Sequence, residues 1–306
     1  MSFAERVIRM RKRALNMSLS DVERQGDGSA IAAENIKLVA DLEEQNIKYP
    51  RASSIASACM RLHVLGTIYA KQTKQWTGVS SRITFGIGNA IHWWIQNTPD
   101  VLGDKRRGWW RCQACNRVLG FSAPPKKKCK FCGARPEAII YHEHYMKVQN
   151  GLFLTGHPDM FIEKNSMFRI TEIKSITGEI FPKLVAPLAD HEYQLQSYMW
   201  GCQQEGAGPP VLVDSEVGYI IYVSKKQETK QLPIKMFLVR RDKSKIKRIR
   251  EKLKLYADGV ANFPELLPNP VDECVRGEFK CYRARTCPAL GECVYQASLV
   301  LPSSKR

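Results

Sequence analysis

Residues 156–175 constrain the fold more tightly than any other stretch: Gly-His-Pro-Asp-Met-Phe-Ile, a short polar break, then Phe-Arg-Ile-Thr-Glu-Ile-Lys-Ser. The alternation and the β-branched and aromatic content predict two adjacent strands, with 163–166 as the turn between them. Asp159 falls early in the first strand. Glu172 and Lys174 are two apart on the second and therefore point to one face of the sheet. Such a hairpin brings an Asp, a Glu and a Lys to one spot, where the carboxylates can hold Mg²⁺ or Mn²⁺ and the ammonium can stabilise an attacking hydroxide. The same three residues on an ordinary surface hairpin would make only a solvated salt bridge. The rest of the chain decides between these readings.

A chain of 306 residues can bury one substantial core and carry a small appended module. Its 47 basic and 30 acidic residues leave a net charge of +17, which favours a polyanionic partner, with nucleic acid ahead of a membrane surface. No long apolar run or export signal is visible. Of the ten cysteines, the grouping of Cys112, Cys115, Cys129 and Cys132 and of Cys274, Cys281, Cys287 and Cys293 therefore reads as metal binding in a reducing, intracellular and cytoplasmic compartment rather than as disulfides, while Cys202 reads as a plain core or surface thiol.

Residues 1–48 predict two helices, the first strongly basic (Arg6, Arg9, Arg11, Lys12, Arg13) and the second running from about Ala30 to Asn46. Over 49–70, Ser53 or Ser54 is placed to cap a helix carrying Cys59, Arg61 and Leu65. A further helix over 81–97 holds His92 among bulky apolar neighbours, where a histidine is ordinarily a core residue unless acids lie nearby. Strands follow over 138–149, 152–163 and 168–176, then a helix over 187–204, strands over 216–223 and 232–239, and a long basic helix over 243–261. This order predicts an α/β fold with a mixed sheet and flanking helices.

Between the His92 helix and the strands, Cys112-x-x-Cys115 and Cys129-x-x-Cys132 are separated by thirteen residues. Two such pairs suit tetrahedral Zn²⁺, and so small a segment lacks the core to order itself without metal. Trp109, Trp110, Arg111 and Lys126 to Lys128 would suit base stacking and phosphate contacts; a purely structural ribbon is the alternative.

On the helix after the Glu172 strand, Gln194 and Tyr198 are four apart and share a face. With the upstream His92, the Gly-x-Pro-Asp segment, the Glu-x-Lys strand and this Gln-x-x-x-Tyr helix, residues 50–100 and 138–295 resemble the PD-(D/E)XK nuclease superfamily. Within it the likeness is to the RecB-like, Cas4-like branch that includes AddB and the Dna2 nuclease domain. The resemblance implies a restriction-endonuclease-like core and a Mg²⁺- or Mn²⁺-dependent deoxyribonuclease. Under it His92, Asp159, Glu172 and the Ile173 carbonyl would hold the metal, Lys174 would position or activate the water, and Gln194 and Tyr198 would orient the DNA strand and buttress the site. Glu143 matches an auxiliary acid and equally suits an exposed strand position.

The same branch often carries a [4Fe-4S] cluster, with one cysteine before the His helix and three in the tail. Cys59 matches the first. The tail offers Cys274, Cys281, Cys287 and Cys293; the resemblance implies Cys59, Cys281, Cys287 and Cys293, with Cys274 as the alternative to Cys281. A four-cysteine tail site without Cys59 and a second zinc remain open.

The expected organisation is thus an N-terminal helical extension (1–48), a helical part of the nuclease domain (49–103), a zinc-ribbon insertion (104–136), the catalytic core (137–265) and a cysteine-rich tail (266–306). The expected function is an exonuclease on single-stranded or end-exposed DNA in replication, recombination or repair, acting with other such proteins and away from membranes. The alternatives are a Cas4-like nuclease of CRISPR adaptation and a non-catalytic nucleic-acid-binding assembly factor built on a nuclease scaffold.

Overall fold

A computed structural model of the chain describes residues 43–46, 50–69, 72–75, 79–226, 233–276, 287 and 289–294. The elements in order are β1 (Glu43–Asn46), α1 (Met60–Ile68), β2 (Gln72–Gln75), α2 (Val79–Asn97), β3 (Arg106–Cys112), β4 (Val118–Ser122), β5 (Ile139–His142), β6 (Met146–Gln149), β7 (Phe153–Gly156) and β8 (Met160–Lys164). They continue with β9 (Met167–Ile176), α3 (Ala189–Gly201), β10 (Val217–Ser224), β11 (Ile234–Arg240), α4 (Lys243–Ala261) and α5 (Asp272–Arg276). The chain divides into two compact units, residues 1–44 with 74–90 and residues 45–73 with 91–306. The basic N-terminal helix lies outside the described residues. The second expected helix is corrected at its end, because Glu43–Asn46 is a strand. Glu-Glu-Gln-Asn contains no apolar residue, so a helix there would have no face to bury.

The larger unit is built on a mixed sheet in the order β11-β10-β9-β8-β3-β4, with β5 also paired to β3. Only β9 and β10 run parallel, joined through α3, as a parallel pair requires a crossover. β10 reads Val-Gly-Tyr-Ile-Ile-Tyr-Val-Ser because both its faces are covered. Ile220 and Tyr222 enter a core with Leu195, Met199 and Leu253, while Ile221 and Val223 enter a second core with Ile91, Ile95 and Ile173. A strand buried on both sides must be a continuous apolar run. Helices thus flank the sheet, giving the expected mixed α/β architecture.

The hairpin turn tightens to Asn165-Ser166, both at positive φ, with Lys164 opposite Met167. That is the two-residue geometry whose twist matches the strands. In α4, Asp242 accepts the backbone N–H groups of Ser244 (2.9 Å) and Lys245 (3.1 Å), and Ile246, Ile249, Leu253 and Tyr256 form its buried stripe. The capped start and the helical spacing account for the agreement with the sequence over 243–261.

Three expectations change. The helix expected to begin at Ser53 or Ser54 starts instead at Met60; Cys59 takes the cap position without a side-chain cap, and Ala52–Ser54 forms a separate 3₁₀ turn. The strands expected over 138–149 and 152–163 are each broken in two. β5 belongs to β3's ladder, whereas β6 and β7 form a separate two-stranded sheet. Pro158, which has no N–H to donate, lies in the second break. Finally, the segment expected as an inserted ribbon over 104–136 is built into the main sheet. Arg106 and Arg107 of β3 pair with Ile162 and Phe161 of β8, and Cys112 and Cys129 are buried in the core that holds Ile91 and Ile173. No helix among the described residues is long and apolar enough to cross a membrane.

Candidate active site

The β8–β9 ladder ends where Met160 faces Thr171, so Asp159 leaves the sheet beside Glu172. Its Oδ2 accepts the Ile173 backbone N–H at 2.6 Å, and its Oδ1 lies 3.4 Å from His92 Nδ1. One helical turn beyond His92, the buried Gln96 donates Nε2–H to the Asp159 carbonyl (2.8 Å) and to Glu143 Oε1 (3.0 Å). One ligand atom each from His92, Glu143 and Asp159 all lie within 4.8 Å of one another. Glu143 is not within a strand, as expected from its sequence position, but in the break between β5 and β6. That break frees its side chain from the alternation of a pleated strand.

Glu172 and Lys174 share a face, as the two-residue period requires. Lys174 Nζ donates to Glu172 Oε1 (2.6 Å) and to Gln194 Oε1 (2.8 Å), while Gln194 Nε2 donates to Glu172 Oε1 (2.6 Å) and Tyr198 OH (3.1 Å). Glu172 Oε2 is buried with no hydrogen-bond partner. A carboxylate oxygen held dry and unpaired costs free energy unless something positive completes it. Glycine at 156 is required by the close approach of α3. A Cβ there would come within 2.6 Å of the Tyr198 ring.

The electrostatics follow from burial and crowding. Burial first, then the Asp159 charge, push the Glu172 carboxyl up to about 8 against the pull of Lys174 and His92. Glu143 is raised by burial and by Asp159. His92 loses hydration on burial, but the hydrogen bond and charge of Asp159, with Glu172 behind it, outweigh that loss and raise it. Burial likewise opposes the charge on Lys174, yet Glu172 and Asp159 leave it raised. Three acids held this close make a cation-binding environment in which Lys174 remains an ammonium donor.

The structure therefore brings together His92, Glu143, Asp159, Glu172, Lys174, Gln194 and Tyr198. The set of mutually close ligand atoms contains Glu143 and omits Glu172, whose Oε1 is taken by Lys174 and Gln194. Ile173 contributes its N–H to Asp159. Gln194 and Tyr198 are buried and hold Glu172 and Lys174 in place. Gln96 carries only a faint sequence signal, a polar residue four positions after His92 in an otherwise apolar helical turn. Arg106 has none, although this buried residue donates to the Gln96 carbonyl (2.8 Å) and steadies the end of α2.

Away from this site, Cys112, Cys115, Cys129 and Cys132 also form a set with sulfurs within 4.8 Å of one another. Each pair is shaped by a local turn. Asn116 N–H donates to the Cys112 carbonyl and Gly133 N–H to the Cys129 carbonyl, with Asn116 and Gly133 at positive φ. Backbone N–H groups of Phe131 and Cys132 lower the Cys129 thiol to about 7, while Cys132, against a backbone N–H from Ala134, is pushed up to about 12 by burial and the neighbouring sulfurs, so the four thiols share their protons as one set. The tryptophans beside them are not exposed stacking platforms: Trp110 is buried edge-on to Tyr141, and Trp109 packs edge-on to Phe121.

At the other end of the unit, buried Arg61 donates to Cys293 Sγ (3.1 Å), to the Cys293 carbonyl (3.1 Å) and to the Pro268 carbonyl (2.9 Å), fastening the tail to α1. Cys59, Cys287 and Cys293 are close enough that the charge of Cys59 acts on both tail thiols, which burial raises first. Among the described residues these three do not form a mutually close set like the other two. Cys281 lies outside the described residues, and Cys274 is buried in α5. Cys202, buried in the core, has its thiol pushed up to about 12 by burial.

No family model matches the chain. No curated protein matches it either. Among solved structures it is similar to the exonuclease LHK-Exo in complex with dAMP, at 10% sequence identity over 72% of this chain and 91% of that one, with a TM-score of 0.41.

Proposed function

We propose that this chain is a Mg²⁺- or Mn²⁺-dependent deoxyribonuclease of the PD-(D/E)XK, RecB-like type, acting on single-stranded or end-exposed DNA in replication, recombination or repair. The observation that carries the reading is Glu172 Oε2, a buried carboxyl oxygen with no hydrogen-bond partner on a residue that feels the charges of Asp159 and His92. Oxygen donors with one imidazole suit Mg²⁺ or Mn²⁺, and the residues that would hold it are Asp159, His92, Glu143 and Glu172 Oε2. When bound there, such an ion supplies Lewis-acid stabilisation of the phosphate and a more acidic water.

The chain's own groups do the rest. Gln194 and Tyr198 keep Glu172 aimed, and Gln96 ties Asp159 to Glu143. Lys174, held by Glu172 and Gln194 with its side chain only 20% exposed, presents its remaining N–H to the attacking water or the phosphate. The net charge of +17 draws the polyanion in. The four-cysteine set carries Zn²⁺ in this reading, since four thiolates in two turns fit a closed tetrahedral site. Cys59, Cys281, Cys287 and Cys293 carry an iron-sulfur cluster; the mutual influence of three of these thiols and the Arg61 clamp support that assignment.

End-labelled single-stranded, duplex and circular DNA incubated with Mg²⁺ or Mn²⁺ tests the function. Asp159→Asn, which keeps an acceptor for Ile173 N–H, and Lys174→Ala are each expected to lower cleavage by at least about 10²-fold in protein that still folds. Wild-type rates in either variant would refute the assignment. Anaerobically purified protein is expected to be brown and to contain iron, sulfide and one zinc.

A further inference from the structure

Residues 108–135 contain seven basic and no acidic side chains. Lys126 is engaged by Asp104 at 2.6 Å. Among the described residues, Arg117, Lys127, Lys128, Lys130 and Arg135 form no ion pair, and all five are exposed. At the turn between Cys129 and Cys132, Phe131 stands 44% exposed. The Arg117 guanidinium from the other cysteine turn and the Lys130 ammonium each lie 5.1 Å from its ring centroid. The two cysteine turns thus meet around an outward-facing aromatic ring bracketed by cations, on a segment with no opposing charge.

We infer that this tip of the four-cysteine ribbon is a second nucleic-acid contact, in which an unpaired base stacks on Phe131 while Arg117, Lys130 and the neighbouring lysines hold the flanking phosphates. Every base has a π-face, so such a platform takes single strands without reading their sequence. The cations that bracket the ring do not block it. An exposed cation–aromatic contact is weaker than a base stack, and a long side chain that swings aside gains a phosphate in return. A duplex has no unpaired base to offer, which is why the occupant is a single strand. The ribbon's tryptophans are engaged elsewhere: Trp110 is buried, and the half-buried Trp109 packs edge-on against Phe121 and donates to His144.

The proposal goes beyond the nuclease reading and does not rest on it, since binding needs no cleavage. Fluorescence anisotropy of a 5′-labelled oligothymidylate, in the Asp159→Asn background and without added divalent metal, measures it. Phe131→Ala and Phe131→Leu are each expected to weaken single-strand binding about tenfold, and Phe131→Trp to retain it. Replacing Lys127, Lys128 and Lys130 together by Ala is expected to flatten the slope of log affinity against log salt by about 2, at about 0.7 per lost phosphate contact. Zinc content equal to the parent's identifies folded variants, and the leucine variant keeps an apolar side chain at the position. Unchanged affinity in Phe131→Leu would overturn the proposal. So would an equal loss on blunt duplex, because stacking would then not be the interaction. Protein inert in every metal that still loses affinity in these variants would sink the nuclease reading and leave this one standing.

Discussion

The candidate active site and the four-cysteine ribbon are both clusters of metal-ligand chemistry, but they are held in opposite ways. The ribbon's ligands lie within residues 112–132, and each pair is shaped by its own backbone turn. The acidic site draws on His92, Glu143, Asp159, Glu172 and Gln194, and every one of them is fixed by a hydrogen bond to a residue or backbone far along the chain. A cluster made from local turns can be read from spacing. One made from tertiary hydrogen bonds can be read only when each part also carries a recognisable local pattern. The two are nevertheless mechanically joined, because β3 runs from the Gln96 carbonyl, which Arg106 caps, to Cys112 in the ribbon.

That junction couples the two clusters. Cys129→Ser should produce the largest loss of stability. If the four thiolates hold zinc as proposed, it breaks that site, where binding is worth about 10 kcal/mol or more in a small metal site, and it opens the core shared with Ile91 and Ile173. Thermal unfolding and zinc content measure this; if only the ribbon melts and DNA cleavage survives intact, the ribbon is an independent module after all. Next in size, Gly156→Ala places a methyl group 2.6 Å from the Tyr198 ring, where overpacking costs about 1–3 kcal/mol. Cleavage should fall with stability, because Tyr198 supports Gln194, while zinc content stays at the parent's level. An unshifted melting temperature would mean that α3 and the Gly156 strand can separate without loss.

The smallest effect on stability belongs to Gln96→Ala. This variant unties Asp159 from Glu143, and loss of such a supporting hydrogen bond around metal ligands ordinarily costs 10- to 100-fold in metal affinity or activity, or about that much here. The discriminating readout is the Mn²⁺ concentration that half-saturates cleavage, which should rise while zinc content does not change. A fall in rate at all metal concentrations with an unaltered half-saturation would assign Gln96 a purely structural part.

Legibility followed the range of the forces involved. α4 was readable because an Asp cap and a repeating apolar stripe act within a few residues. The β8–β9 hairpin was readable because period-two alternation places Glu172 and Lys174 together in any strand. The breaks at 143–145 and 157–159 were not. Whether the chain continues one ladder or crosses to another depends on which strands await it, and β5 and β6 join different partners. Glu143 lies in one of those breaks, so its approach to His92 and Asp159 had no local signature. Trp109 and Trp110 show the converse. Their chemistry suits stacking, but burial withdrew Trp110 and an edge-on contact with Phe121 engaged Trp109, leaving Phe131 exposed.

By itself the sequence determined α4 and the β8–β9 hairpin, the face shared by Glu172 and Lys174, the helical pairing of Gln194 with Tyr198, and the four-sulfur set, all of which depend on spacing and local hydrogen bonds. Only the tertiary structure decided that Glu143 joins His92 and Asp159, that Gln96 ties them together, that the ribbon's first strand is continuous with the main sheet, and that Glu172 keeps one oxygen buried and unpaired. These depend on which distant surfaces exclude water together, and burial is a property of the packed chain rather than of any segment in it.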